Sequence, residues 1–170
     1  YVEAVRTSGQ ALLGLIDGVL DFSRIEAGRL DLAAEPFDLP ALAEGVVELL
    51  APRAQDKGIE IALDVAEDVP SSLLGDADRV RQILINLAGN AIKFTERGGV
   101  GVSLTFTRSD AGDGEVVIAV SDTGPGIPED RLPILFEEFE QGDGSASRSH
   151  EGTGLGLAIT RRLVTRMGGR

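Results

Sequence analysis

The sequence predicts an α+β fold, an α/β sandwich with helices on one face of a mixed sheet, preceded by a long bundle helix. Three observations predict it. The opening stretch and several later ones repeat apolar residues every three to four positions, which is the period of a helix packed on one face. Three other stretches alternate strictly between apolar and polar, as half-buried strands do. Glycine- and proline-rich turns separate these segments, and no internal repeat is present.

The first helix reads to about Leu32. Leu12, Leu15, Val19 and Phe22 fall at spacings of three and four, with Leu13, Ile16 and Leu20 beside them. That face is wider than a solitary surface helix needs and suits a bundle. Gly9, Gly14 and Gly18 each weaken the helix by up to about 1 kcal/mol relative to alanine, so its support must come from a partner helix or a second subunit. Ala33–Asp38 reads as a connector interrupted by Pro36. The next helix runs from about Leu39 to Lys57, with Asp38 as N-cap, Pro40 in its first turn and Gly58 past its end. Its buried stripe is Leu42, Val46 and either Leu49 or Leu50. Ile59, Ile61, Leu63 and Val65 alternate as a strand, and a short strand covers Ser71–Leu74. A helix follows from near Asp76 to about Phe94. Val100, Val102, Leu104 and Phe106 then alternate on one arm of a hairpin and Val116, Ile118 and Val120 on the other, with the turn at Asp110–Gly114. A loop begins at Asp122, a short helix lies near Leu132–Phe139, Gly142–Glu151 is polar, and a last helix spans about Leu155 to Met167.

With 170 residues, 42% apolar and 26% charged, the chain can bury one core and a small appendage. No run of about 18 apolar residues exists to span a bilayer, so no membrane contact is expected from this segment. The chain contains no cysteine, which excludes disulfides and thiolate metal sites and fits a cytoplasmic setting. Its start lacks a signal-peptide pattern and reads as cut from a longer protein, which can itself be membrane-anchored. The net charge of −12 and the lack of a basic stripe argue against nucleic acid. A surface this acidic repels a polyphosphate, so such a ligand needs a divalent cation, local lysines or helix N-termini.

Three elements have the composition of a site. On the helix 76–94, Gln82, Asn86, Asn90 and Lys93 lie at i, i+4, i+8 and i+11, with Gly89 beside Asn90. A polar helix side is most often a solvent face, yet solvent faces favour Glu, Lys and Arg over paired Asn and Gly. Carboxamides beside a glycine gap suit a ligand or a hydrated metal, and Lys93 can reach a phosphate. Second, a strand ends at Asp122-Thr123-Gly124-Pro125-Gly126-Ile127-Pro128. Its carboxylate either caps a turn or accepts from an exocyclic amine, with the glycines letting backbone approach a flat ring. Its spacing and prolines do not fit a dinucleotide fingerprint. Third, Gly152-Thr153-Gly154-Leu155-Gly156 leads into a helix, so that backbone N–H groups can cradle phosphate. It is not a Walker loop.

In combination these elements resemble sensor histidine kinases, especially the hybrid type. Arg79–Thr95 resembles the N box, Asp122–Ile127 the G1 box, Phe136-Glu137-Glu138-Phe139 the F box and Gly152–Leu157 the G2 box; Leu20–Gly28 is similar to the end of the second dimerisation helix. The resemblance spans nearly the whole chain. It implies the Bergerat, or GHKL, ATP-binding fold, with the second dimerisation helix at residues 1–33 and the catalytic ATP-binding domain at 34–170. It also implies further strands beyond Arg170 that would complete the sheet.

The resemblance implies ATP and Mg²⁺ as cofactors. Asn90 would hold Mg²⁺ with Asn86 beside it, Lys93 would contact phosphate, and Asp122 would recognise the adenine amino group. Gly124, Gly126, Ile127 and Phe139 would shape the nucleotide pocket, and Gly152, Thr153, Gly154, Leu155 and Gly156 would hinge the lid over the phosphates. The resemblance also implies that Arg148, where family members often place a lid arginine, would steady the transferred phosphoryl group. Related ATPases such as DNA gyrase carry a water-activating glutamate where this chain has Asn86, so transfer to histidine is favoured over hydrolysis. The acceptor histidine belongs to the preceding helix and is absent here; His150 reads as a variable lid residue, and Glu151 replaces the family's usual glycine. The segment should therefore bind ATP without autophosphorylating, and its implied partners are a second copy through the bundle helices and a response-regulator receiver domain. The alternatives are a GHKL-type hydrolase and a degenerate nucleotide-sensing scaffold.

Overall fold

The computed structural model of the chain describes Gly9, Leu20, Ser23 and residues 30–108, 114–137 and 154–170. The chain divides into two compact units, Leu32–Ile127 and Tyr1–Asp31 with Pro128–Arg170.

The first unit runs β1 (Glu35–Phe37), α1 (Leu39–Asp56), β2 (Glu60–Val65), β3 (Leu73–Gly75), α2 (Ala77–Phe94), β4 (Gly99–Arg108) and β5 (Gly114–Asp122). β2, β4 and β5 form one sheet in that order, β2 parallel and β5 antiparallel to β4, so the sheet is mixed as expected. β1 and β3 make a separate antiparallel ribbon. Alternation fixed the register: Leu63, Val102 and Val120 share one row, and Val65, Leu104 and Ile118 the next. α1 packs on β2 and α2, and α2 packs on β4 and β5. Between helices and sheet, Leu39, Val46, Leu50, Leu84, Val102 and Leu104 are each 2% exposed or less.

The helix ends follow their local chemistry. The Asp38 carboxylate accepts from Ala41 N–H at 2.9 Å and starts α1. α1 stops in a Schellman turn: Gly58 N–H donates to Gln55 C=O, Ile59 N–H reaches back to Ala54 C=O, and Gly58 takes φ +69°. The alternative at the end of the α1 stripe resolves to Leu50, which is buried while Leu49 is exposed. Asp76 caps α2 through Arg79 N–H at 3.0 Å, and its other oxygen accepts Ala33 N–H at 3.0 Å.

Several expectations need correcting. The connector 33–38 contains β1, because Pro36 sits in a two-stranded ribbon, where a missing N–H is tolerated. The first helix does not reach Leu32: residues 30–34 are non-helical, and Ala33 N–H is given to Asp76 rather than to a helical carbonyl. The short strand lies at Leu73–Gly75 instead of Ser71–Leu74. In the second unit, residues 129–136 form successive turns rather than a helix. Arg131 donates to Pro128, Leu132 to Glu129 and Ile134 to Arg131, all three residues back, and Pro133 has no N–H with which to continue. The same unit carries α3 (Gly156–Arg166), buried along Leu155, Ala158, Ile159 and Leu163. The bundle residues Leu12, Leu13, Leu15, Ile16, Val19 and Phe22 lie outside the described residues, as do most of the hairpin turn and residues 138–153; Gly9, Leu20 and Ser23 are helical. Among the described residues no helix is long and apolar enough to cross a membrane.

Asp76 joins two segments far apart in sequence while only 8% exposed. Asp76→Ala removes a cap and strands a donor, so it should cost about 2–3 kcal/mol in urea unfolding. Asp76→Asn, which keeps one acceptor oxygen, should cost about half as much.

Candidate functional site

α2 is a helix with almost no solvent face. Only Asp78, Arg81 and Phe94 are exposed along it; Val80, Ile83, Leu84, Ala88, Ala91 and Ile92 are buried. The polar positions Gln82, Asn86, Asn90 and Lys93, with Gly89, are all half-buried. The solvent-face reading of this stripe therefore fails. Gln82 Oε1 accepts from Arg79 Nη1 at 2.8 Å, which holds the first member of the stripe.

Lys93 lies in the last turn of α2, with its Nζ 4.8 Å from the centre of the Phe94 ring. Partial burial strips water from the ammonium and lowers its pKa below the usual 10.5. The charged form is thus under-solvated and gains more from a nearby anion than a surface lysine would.

Asp122 ends β5 in register with Val100, on the same side of the strand as Val120 and Ile118. The apolar face of the sheet thus ends in a carboxylate, and that carboxylate is exposed. One oxygen, Oδ1, accepts Gly124 N–H at 2.8 Å, so Asp122 does cap a turn; Oδ2 takes no part in that turn. Thr123 fastens the turn. Its Oγ1 donates to Arg97 C=O at 2.9 Å and accepts Gly99 N–H at 3.0 Å, while its own N–H donates to Gly99 C=O at 3.2 Å. The partners are Arg97 in the link between α2 and β4 and Gly99 at the start of β4; between them Gly98 has φ +97°, and any side chain there would collide with the Thr123 hydroxyl.

Gly124 permits a close approach. A Cβ there would lie 2.7 Å from Asp122 Oδ1 and 3.2 Å from the carbonyl oxygen of Phe94. Gly126 is required by its φ of +72°. Pro125, Gly126 and Ile127 are exposed. The loop 122–124 and the C-terminal end of α2 are thus in direct contact, with Lys93 in that same turn, Asn90 one turn back and Asn86 two turns back, or about 12 Å from Phe94 at 1.5 Å per residue. Next to them Thr95 is fully buried, its hydroxyl without a protein partner among the described residues.

Of the glycine-rich lead into α3, Gly154 takes φ +68°, Leu155 is buried and Gly156 opens the helix. α3 has no side-chain cap and no acid in its first turn, which leaves its N-terminal field unopposed by carboxylate. The predicted residues Phe139, Arg148, Gly152 and Thr153 lie outside the described residues, as does the polar stretch 142–151. A cavity in the second unit opens between Phe136 and the α3 residues Ala158, Arg161 and Thr165; it includes none of the asparagines and no part of the Asp122 loop. Among the described residues no cluster of three His, Cys, Asp or Glu side chains could by itself hold a metal ion.

Sequence reasoning missed two participants. Thr123 carried a weak signal, a hydroxyl directly after a strand-terminal acid. Lys57, whose Nζ donates to the carbonyls of Ile92 at 2.7 Å and Lys93 at 2.8 Å, carried none, because its partners lie about 35 residues away.

Residues 75–170 match the family model described as Histidine kinase-, DNA gyrase B-, and HSP90-like ATPase. The signal transduction histidine-protein kinase BarA of Escherichia coli strain K12 is 44% identical over 169 residues, which is 99% of this chain and 18% of that protein. The sensor histidine kinase GacS of Pseudomonas protegens is 42% identical, with the same coverage of 99% and 18%. The chain therefore spans about a fifth of the length of these relatives. Among solved structures, full-length ShkA in complex with AMPPNP superposes with a TM-score of 0.83 at 46% identity, over 99% of this chain and 34% of that one. The half-buried asparagine stripe and the Asp122 loop are thus carried on a known ATPase architecture, and this chain belongs to the histidine kinase-, DNA gyrase B- and HSP90-like ATPase family, on its sensor histidine kinase branch.

Proposed function

We propose that this chain is the ATP-binding catalytic portion of a two-component sensor kinase. It transfers the γ-phosphoryl group of ATP to a histidine outside the chain, and from there to an aspartate of a response-regulator receiver domain. The observation that carries the reading is the direct contact between the Asp122–Gly124 turn and the end of α2, the helix that bears Lys93, Asn90 and Asn86 in sequence. An elongated ligand with a flat base at the loop would have its charged end running along the helix. In this reading the second dimerisation helix lies within residues 1–33 and ends before Leu30, 34–170 are the catalytic domain, and the full protein is a homodimer through its bundle helices.

The residues suit magnesium delivered with the nucleotide rather than held in a resident cage. Mg²⁺ keeps several waters and is bound through one or two hard oxygen donors plus substrate phosphates, and the Asn90 and Asn86 carboxamides offer such donors. Bound there, the ion would neutralise charge on the phosphates. Asp122 Oδ2 accepts from the adenine amino group while Oδ1 keeps the turn, and Gly124, Gly126, Ile127 and Phe139 shape the walls. Lys93 contacts phosphate. Gly152, Thr153, Gly154, Leu155 and Gly156 hinge the lid and aim N–H groups at the phosphates, and Arg148 steadies the group in flight. In the transfer, the bond from the γ-phosphorus to the ADP oxygen breaks as a bond to the histidine nitrogen forms. Asn86 has no basicity with which to activate water, so the arrangement favours the histidine as acceptor.

A fluorescent adenine nucleotide titrated with Mg²⁺ tests the site. Asp122→Ala and Asn90→Ala should each weaken binding by about tenfold or more, as loss of a hydrogen bond to a charged group does, while leaving the protein folded. Mixing the chain with a longer, ATP-site-dead version and radiolabelled ATP should then place label on a histidine of the longer chain; steady phosphate release in its place identifies a hydrolase.

Lys93 adds a dependence on pH. Its pKa in the folded, nucleotide-free protein is lowered from 10.5, so burial of the charged form is a penalty present below the folded pKa and relieved as pH rises towards the unfolded value. A bound phosphate favours the charged form, so nucleotide affinity should fall as pH rises into this window, beginning below 10.5. Lys93→Arg, which keeps its charge, should flatten that slope, and Lys93→Met should bind about tenfold more weakly at neutral pH.

A further inference from the structure

α2 ends in an unusual way. The last four carbonyls of a helix lack intrahelical donors and must be satisfied from elsewhere. Here Ala91 C=O accepts Thr95 N–H at 3.0 Å. The carbonyls of Ile92 and Lys93 accept from Lys57 Nζ, at 2.7 and 2.8 Å. The carbonyl of Phe94 lies against Gly124, where a Cβ would stand 3.2 Å away. One ammonium thus closes the middle of the helix end, and the loop that carries Asp122 lies against its tip.

We propose that Lys57 is a positioning residue for the nucleotide site, an inference that rests on the nucleotide reading of the Asp122 loop. Lys57 is well suited to the task. It is the C-cap of α1, and the Schellman turn through Gly58 and Ile59 fixes its backbone. The stem of the side chain therefore starts from a defined point. Its bonds are charge-assisted, short and aimed at the negative end of the α2 dipole, the strongest arrangement available to an ammonium donor. The side chain is exposed overall, so it adds little to the core. What it fixes is the direction of the last turn of α2, which presents Lys93 and supports Gly124. In a protein of net charge −12 it also adds a second cation to the turn of α2 that carries Lys93.

The test measures the affinity of the whole chain for a fluorescent ADP analogue with Mg²⁺, well below the melting temperature, beside circular dichroism and a thermal melt. Lys57→Met removes the charge and both bonds but keeps the stem; it should weaken binding about fivefold to tenfold, the lower range of coupling between linked sites. Lys57→Arg, which can donate to both carbonyls, should restore affinity to within about twofold, since a guanidinium also presents paired donors. A role in stability alone would lower the melting temperature of Lys57→Met and leave affinity unchanged, and that result overturns the proposal. If Lys57→Met does not fold, Lys57→Gln takes its place and must also bind more weakly than wild type. Asp122→Ala serves as the control. If wild type binds and Asp122→Ala does not, while Lys57→Met matches wild type, only the inference about Lys57 falls. If wild type itself takes up no nucleotide, the site reading and the inference fall together.

Discussion

Everything in the site depends on one close approach, that of the Gly124 backbone to the carbonyl end of α2. Two segments that are remote in sequence meet there without a side chain between them, since a Cβ would press on Phe94 C=O and Asp122 Oδ1 together. Thr123 turns that contact into a joint by donating to Arg97 C=O in the link between α2 and β4 and accepting from Gly99 N–H at the start of β4. The run Asp-Thr-Gly thus has a division of labour. Asp122 holds the turn through one oxygen, Thr123 ties the turn to its neighbour, and Gly124 leaves room for the tie.

The electrostatic arrangement follows from the acidity of the chain. A net charge of −12 opposes any polyphosphate at long range, and screening at physiological salt confines that opposition to roughly 8 Å. Within that distance local cations decide. Lys93 is partly desolvated beside Phe94, and Lys57 is fixed to the same helix end. The folded protein accepts an unfavourable burial at Lys93 that a bound phosphate would relieve. This is a common trade between stability and function at sites built before their ligand arrives.

What could be read in the sequence was local in physical origin. Asp38 and Asp76 announce helix starts because a cap acts over three residues, and Gly58 announces a stop because the Schellman turn closes within five. The alternation of β2, β4 and β5 announced the strands and their inner faces, while the pairing of β2 with β4 and the cross-strand rows came only from the structure. The failures had equally definite causes. Pro36 hid β1, whose pairing with β3 is visible only in three dimensions. Apolar spacing near Leu132 suggested a helix that Pro133 reduces to turns. In the site, Asn86, Asn90, Lys93, Asp122 and the glycines stood out by residue type. Thr123 and Lys57 did not, because threonine and lysine are ordinary surface residues until their partners 24 to 36 positions away are known.

The central claim is that the joint at Thr123, rather than the presence of Asp122 alone, makes the loop competent for nucleotide. Adenine nucleotide affinity of Thr123→Ser and Thr123→Val, measured with Mg²⁺ on folded protein, tests it most directly. Serine keeps the hydroxyl and should bind within about twofold of wild type; valine keeps the shape, loses both bonds, and should bind about tenfold more weakly. A folded valine variant that binds as well as wild type would contradict the account.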